Sequence, residues 1–114
     1  MTELWKMSAA EITAQVHNKQ LKPSEAIASA INRAEATNTH LNAITLPLYE
    51  RAISEAAIAD DQVAAGNELG PLHGVPITIK ENLYTAGDPA PIGSAAAELA
   101  PMPDDSPVAA RVRE

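Results

Sequence analysis

The sequence is informative first through what it lacks. It has no cysteine and no phenylalanine, and aromatic residues make up 3% of its 114 positions. Without cysteine, disulfide scaffolds, thiol nucleophiles and thiolate metal sites are excluded. A chain that is rich in alanine and poor in bulky side chains buries little apolar surface of its own. We therefore expect it to pack on something else.

Basic residues are also scarce, and they are scattered along the chain. Eight lysines and arginines stand against 15 acidic residues, which gives a formal net charge of −7. Because this charge repels a phosphate backbone, we expect no direct binding of nucleic acid. No apolar run approaches the roughly 18 residues of a membrane span, and residues 1–12 do not read as a signal peptide. These absences predict a cytoplasmic protein that binds no membrane.

Three amphipathic helices are predicted in the first part of the chain. A capping box from Ser8 to Glu11 starts the first helix. Pro23 starts the second, at a position where a missing amide hydrogen is harmless, and Gly66 ends the third. The predicted helices cover residues 8–18, 23–37 and 49–65.

Polar residues occur at two notable places, after the second predicted helix and within the third. Residues 38–42 contain Asn38, Thr39, His40 and Asn42, which predict a turn, and Leu41–Leu46 could be a short strand or an extended link. The Asp60–Asp61 pair lies in the third helix, and we interpret it as a solvated face rather than a metal site.

The composition of the chain changes after Gly66. Seven of the nine prolines and four of the five glycines lie between residues 70 and 107. Val75–Lys80 is the one convincing β-strand signal, with Pro76 at a tolerated position near its start. Asp104–Pro107 reads as the start of a last helix, close to the end of the sequence. We therefore predict an α/β protein with a helical layer at 1–66 and the start of a core at 67–114, belonging to a longer, truncated chain.

Lys80 is the candidate functional residue, and two interpretations remain open from the residues alone. It could be a strand-edge lysine with its stem on apolar surface and its ammonium in water. It could instead be held in a dry site and act as a base, because burial disfavours the ammonium. The three histidines have no metal-ligand spacing, so no metal site is expected at His17, His40 or His73.

A family resemblance bears on this choice. The run Gly70–Asn82, GPLHGVPITIKEN, resembles the lysine segment of the amidase signature family, whose members commonly read PLHGIPVAVKDN there. The Ala-rich helices, the Gly- and Ser-containing loop at 85–94 and the closing segment Asp105–Glu114 are similar to the family as well. The resemblance thus covers essentially the whole chain.

The resemblance implies a fold, an activity and a role for Lys80. It implies the N-terminal part of an α/β/α fold, formed by a helical layer followed by the first core strand. The implied activity is hydrolysis of carboxamides by a Ser–cis-Ser–Lys triad, with Lys80 as a buried, neutral general base and with no metal or cofactor. The Gly/Ser-rich run that carries the family's two serines is absent, and nothing around Ser94 makes it a nucleophile. We therefore expect the chain to be inactive alone.

Other functions stay open beside the amidase. A similar protein is the amidotransferase A subunit, which acts on misacylated tRNA with partner subunits, although Gly87–Ile92 looks more like the stand-alone amidases. A short product could also merely bind a partner protein through its apolar helix face. For an amidase, the expected partners are a small-molecule amide, the remainder of its own chain and possible further copies of itself. We expect the isolated chain to be partly helical and poorly packed.

Overall fold

Helix α1, Ala9–His17, begins at the predicted capping box in the computed structural model of the chain, which describes residues 3–96 and 99–114. The Glu11 backbone N–H donates to the Ser8 hydroxyl at 3.2 Å, and the Ser8 N–H donates to the Glu11 carboxylate at 2.7 Å. Two amides that no helical carbonyl can reach are thereby bonded. A short 3₁₀ turn, Leu4–Lys6, precedes this helix.

Helix α2, Pro23–Leu41, starts where predicted but is longer than the predicted 23–37. The turn expected at residues 38–42 is wrong up to Leu41, and Asn42 alone takes the left-handed conformation with φ of +49°. The Asn38 side chain explains the difference. It stays in the helix and bonds both the N–H and the C=O of Ile44, at 2.9 and 3.0 Å, so it fixes the link after the helix rather than ending the helix.

Helix α3, Tyr49–Ala64, packs on α2 and ends before Gly66, as predicted. The Asp60–Asp61 pair is not simply a solvated face. Asp60 is half-buried, and its carboxylate accepts bonds from the N–H and the hydroxyl of Ser24 in the first turn of α2, at 3.0 and 2.5 Å. Asp61 is exposed, as expected. A carboxylate near a helix N-terminus is favourably placed against the helix dipole, so one helix caps the other.

The apolar core is small and lies among the helices. Its buried members come from α1, α2 and the loop between them, and the half-buried side chains around it include Met7, Val63 and Val75. The buried members are Ile12, Val16, Leu21 and Ala26. Large apolar side chains elsewhere stay exposed, among them Ile53 at 55% and Ile58 at 60%. The expectation of little core of its own is therefore confirmed.

The chain forms two units, Met1–Pro76 and Ile77–Glu114. The first contains α1, α2 and α3, and the second contains the last helix, α4, Pro107–Arg113. This helix begins where the sequence predicted a helix start, and Ser106 caps it by accepting a bond from the Ala109 N–H at 3.3 Å. The domain boundary at 66/67 stays a prediction. Within the described residues, no helix is both long and apolar enough to cross a lipid bilayer.

The α/β core is not confirmed. Val75–Lys80 has no regular secondary structure, and the described residues contain no β-strand, only an isolated bridge between Ala86 and Met102. The link Leu41–Leu46 forms no strand either. A strand needs a neighbour to bond its backbone groups, and no described segment lies beside Val75–Lys80 as one. The structure is therefore mainly helical.

Candidate functional site

The first half of the lysine segment is fastened to two helices. Thr13 of α1 donates its hydroxyl to the Pro71 carbonyl at 3.2 Å. His17, also on α1, lies with Nε2 3.3 Å from the Gly70 carbonyl oxygen. His73 reaches the other way, with Nε2 3.1 Å from the carbonyl oxygen of Ala59 on α3. A carbonyl only accepts, so both histidines must carry their proton on Nε2 to make these bonds.

The backbone conformation and the close packing at position 74 both require a glycine. Its φ is +84°, a backbone angle that residues other than glycine rarely adopt. A Cβ on this residue would lie 3.0 Å from a methyl of Val16 and 3.2 Å from the ring of Pro23. The next residue, Val75, packs on the apolar core. The segment thus lies close against α1 and α2 because its backbone carries no side chain at that point.

Lys80 itself lies in the second unit and is exposed. The expected burial is not found, since Ile77 before it is 50% exposed and Thr78 is exposed as well. The Lys80 carbonyl accepts a bond from the Leu83 N–H at 2.8 Å, which closes a tight turn directly after the lysine. In the part of the chain that the structure describes, the ammonium makes no hydrogen bond or ion pair. Here the side chain therefore matches the water-exposed interpretation.

Two carboxylates organise the loop that follows Lys80, and sequence reasoning missed both. Asp88 is 9% exposed and accepts the Thr85 hydroxyl at 2.5 Å. Asp105 accepts the Ala86 N–H at 2.8 Å and pairs with Arg113 at 3.0 Å. The spacing of Thr85 and Asp88 is a local signal that could have been noticed. The bond from Ala86 to Asp105 has no such signal, because the two residues are distant in sequence.

Ser94 has a local structural bond. Its side chain is exposed, and its hydroxyl oxygen accepts the N–H of Ala96 at 3.2 Å. Such a bond from a serine to the backbone two residues on is a turn feature. That Ser94 is not a nucleophile stays a prediction.

The histidines do not come together. His17 and His40 are exposed, and His73 is half-buried against α3. Among residues 3–96 and 99–114, no three His, Asp or Glu side chains are grouped so that they could hold a metal ion. The histidine bonds that the structure does contain go to backbone carbonyls, which gives His17 and His73 a structural use.

Two open grooves lie in the first unit. One, of about 590 Å³, runs along α2 past Trp5, Ser29 and Arg33. The other, of about 370 Å³, is bounded by Leu4, Ile12, Val75 and other side chains. Neither groove is lined by Lys80, so neither is a substrate pocket at the candidate residue.

The clear electrostatic shifts are at the N-terminal end of the chain. The capping-box bonds lower the pKa of Glu11, first through the Ser8 backbone N–H and then through its hydroxyl. Lys6 lowers the pKa of Glu3, chiefly by its hydrogen bond and then by its charge, with an ion-pair distance of 2.6 Å. Both carboxylates are tied to residues near them in sequence, and neither contacts the lysine segment.

Comparison with known proteins identifies related sequences over nearly the whole chain. The family model described as Amidase matches residues 25–114. An indoleacetamide hydrolase of Bradyrhizobium diazoefficiens is 37% identical over 111 residues, covering 97% of this chain and 21% of that protein. An acylamidase of Rhodococcus erythropolis is 39% identical over 99 residues, covering 87% of this chain and 20% of that protein.

A third relative is named as a subunit of an amidotransferase rather than as a hydrolase or an acylamidase. The A-type subunit of the glutamyl-tRNA(Gln) amidotransferase of Persephonella marina is 31% identical over 112 residues, covering 98% of this chain and 23% of that protein. The chain therefore spans about a fifth of the length of the curated relatives that it matches. The match to the family model includes the segment Gly70–Asn82 and Lys80 within it.

Proposed function

The chain belongs to the amidase family, and from that premise we propose that it is part of an enzyme that hydrolyses carboxamides to a carboxylate and ammonia or an amine. The observation that carries the proposal is the family match across the lysine segment. The close packing of Gly74 against Val16 and Pro23 supports it, since this packing explains why the matched segment has a glycine at position 74. The enzyme's activity would belong to the whole protein rather than to these 114 residues.

In this proposal Lys80 is the general base of a Ser–cis-Ser–Lys triad. Its neutral amine takes the proton of the bridging serine, which takes the proton of the nucleophilic serine as that oxygen attacks the amide carbonyl. The tetrahedral intermediate collapses, the C–N bond breaks, and ammonia or the amine leaves with the proton that Lys80 returns through the bridging serine. Water then attacks the acyl ester and releases the carboxylate. No metal or cofactor takes part.

The exposure of Lys80 supports the proposal that the 114-residue chain is inactive alone. A lysine accepts a proton only as the neutral amine, which burial favours. Lys80 is exposed here, outside the dry environment that this role requires. The sequence also contains no Gly/Ser-rich run with paired serines. Base activation and nucleophile would both have to come with further chain.

For the substrate, we propose a small carboxamide. The indoleacetamide hydrolase and the acylamidase are named for action on such amides. A second candidate is the role of an amidotransferase A subunit, which a 31% identical relative with that name supports. The two candidates share amide hydrolysis and differ in the amide and in the need for partner subunits.

The test is ammonia release by the natural gene product that carries this sequence. Indoleacetamide, benzamide and glutamine are supplied separately, and the Lys80→Met variant is compared with Lys19→Met, which alters an exposed lysine after α1. We expect hydrolysis of an arylacetamide or benzamide that falls at least about a thousandfold in Lys80→Met, as for loss of a triad member, and is unchanged in Lys19→Met.

Other outcomes separate the alternatives. Hydrolysis of glutamine alone, enhanced by partner subunits, would favour the amidotransferase. Turnover that survives Lys80→Met would contradict the proposed role of Lys80. A natural product with no turnover of any of the three amides would favour a protein that only binds a partner.

A further inference from the structure

The loop directly after Lys80 is bonded to the start of α4. We call Lys80–Asp88 the lysine loop. It begins with the turn closed by the Leu83 N–H and the Lys80 carbonyl, at 2.8 Å. Three backbone bonds then join it to residues 102–106: Ser106 N–H to the Tyr84 carbonyl at 2.8 Å, Gly87 N–H to the Met102 carbonyl at 2.8 Å, and Met102 N–H to the Asp88 carbonyl at 3.0 Å.

A fourth bond in this set is made by a side chain. One carboxylate oxygen of Asp105 accepts the Ala86 N–H at 2.8 Å, and the other pairs with Nε of Arg113 at 3.0 Å. The Asp105 side chain is 21% exposed, and Ala86 is half-buried. Charge-assisted bonds of this kind are stronger than bonds between neutral groups. Of the four bonds, this one can be removed by substitution.

The start of α4 is a firm support for such a bond. Ser106 is 2% exposed and caps the helix, and Ala109 in its first turn is 1% exposed. Arg113, in the last turn, holds the second oxygen of Asp105. The carboxylate therefore has one oxygen for the helix and one for the loop.

We propose that Asp105 is a positioning residue for Lys80. It does not touch the reacting atoms. Through the Ala86 N–H it fixes the lysine loop, and through the turn at Leu83 the loop fixes the direction in which the chain leaves Lys80. The inference rests on the proposed function, in which Lys80 is the general base and a small displacement of the base slows proton transfer.

The two oxygens of Asp105 allow positioning to be separated from helix stabilisation. Asp105→Ala removes the bond to Ala86 and the ion pair. Asp105→Asn keeps an oxygen that can accept the Ala86 N–H but loses the charge. Arg113→Met loses the ion pair and leaves the bond to Ala86 in place. Asp104→Ala is the matched control, since it removes an exposed acid at the neighbouring position.

The experiment measures steady-state amide hydrolysis and amide hydrogen exchange in the natural gene product and these four variants. We expect kcat to fall about ten- to a hundredfold in Asp105→Ala with KM unchanged, and to stay close to wild type in Asp105→Asn, Arg113→Met and Asp104→Ala. Exchange at Ala86 is expected to accelerate in Asp105→Ala and in no other variant. Lys80→Met is measured beside them.

Each result decides a separate point. Equal losses of kcat in Asp105→Ala and Arg113→Met would reduce Asp105 to a stabiliser of α4 and overturn the inference. So would exchange at Ala86 that is the same in Asp105→Ala as in Asp104→Ala, whatever the activity. If Lys80→Met keeps its activity, the proposed function fails and the positioning role fails with it. If Lys80→Met is inactive while Asp105→Ala is normal, the inference alone fails.

Discussion

The two units of the chain differ in the forces that stabilise them. Met1–Pro76 consists of three helices around a small apolar core, with capping bonds at the helix ends. Ile77–Glu114 is mostly irregular chain held by backbone bonds and by the carboxylates of Asp88 and Asp105. The helical unit positions the beginning of the lysine segment, and the loop unit carries Lys80 itself. Substitutions should therefore act through packing in the first unit and through single polar bonds in the second.

The largest expected effect is at Gly74. Gly74→Ala places a Cβ 3.0 Å from Val16 and requires an unfavourable backbone conformation. We expect a loss of about 2–5 kcal/mol in the free energy of unfolding. The measurement is urea unfolding of the natural gene product that carries this sequence, followed by circular dichroism. Gly66→Ala is the control, because its φ is +74° but nothing lies within 4 Å of the added Cβ; it should lose only the backbone part, about 1 kcal/mol. Equal losses would contradict the close seat of Gly74.

A similar loss is expected from a hole in the core. Ile12→Ala removes a side chain that is 6% exposed and should cost about 2–5 kcal/mol. Ile53→Ala truncates the same side chain type on α3 at 55% exposure and should change stability by less than about 0.5 kcal/mol. Hydrogen exchange of the α1 and α2 amides measures both. Similar exchange in the two variants would mean that the cluster around Ile12 is not the core of the unit.

The two helix caps compare the units directly. Ser106→Ala leaves the Ala109 N–H without its acceptor in a buried site, with Ser106 at 2% exposure, and we expect a cost of about 1–3 kcal/mol. Ser8→Ala removes an exposed cap and should cost about 1 kcal/mol. Exchange rates at Ala109 and Glu11 report the two losses. A larger effect at Ser8 would reverse the comparison.

The smallest expected effect is a dependence on pH in the first unit. The pKa of Glu11 is lowered from its ordinary value of 4.5, first by the Ser8 backbone N–H and then by its hydroxyl. A carboxyl whose pKa is lower in the folded state stabilises the fold above its unfolded pKa, and this contribution is lost as pH falls through the folded value. Thermal midpoints of wild type and Glu11→Gln should therefore differ above about pH 5.5 and converge below pH 4.5. A gap that widens towards acid would contradict this sign.

Local features of the sequence predicted much of the first unit. The capping box at Ser8 and Glu11, the proline at position 23 and the glycine at 66 are short-range signals, and the helices begin or end beside them. The predicted end of α2 was wrong because Asn38 bonds forward to Ile44 while remaining helical. Residue propensity alone does not distinguish that use of an asparagine from a turn.

The candidate site was predictable only in part. The family of the lysine segment was confirmed by the match over residues 25–114. The strand at Val75–Lys80 was not confirmed, because strand formation depends on neighbours that the segment's own residues do not supply. Asp105 was missed because its partner, Ala86, offers only a backbone N–H. No side-chain pattern marks such an acceptor in a sequence.

The most direct test of the central claim, that Lys80 activates a serine for attack on an amide, is the mass of the acyl-enzyme. The natural gene product is mixed with saturating indoleacetamide and quenched in acid during turnover. Its intact mass is then measured by mass spectrometry. The account predicts a fraction of the protein heavier by the acyl group, and loss of that fraction in Lys80→Met but not in Lys19→Met. An acylated fraction as large in Lys80→Met as in wild type would contradict it.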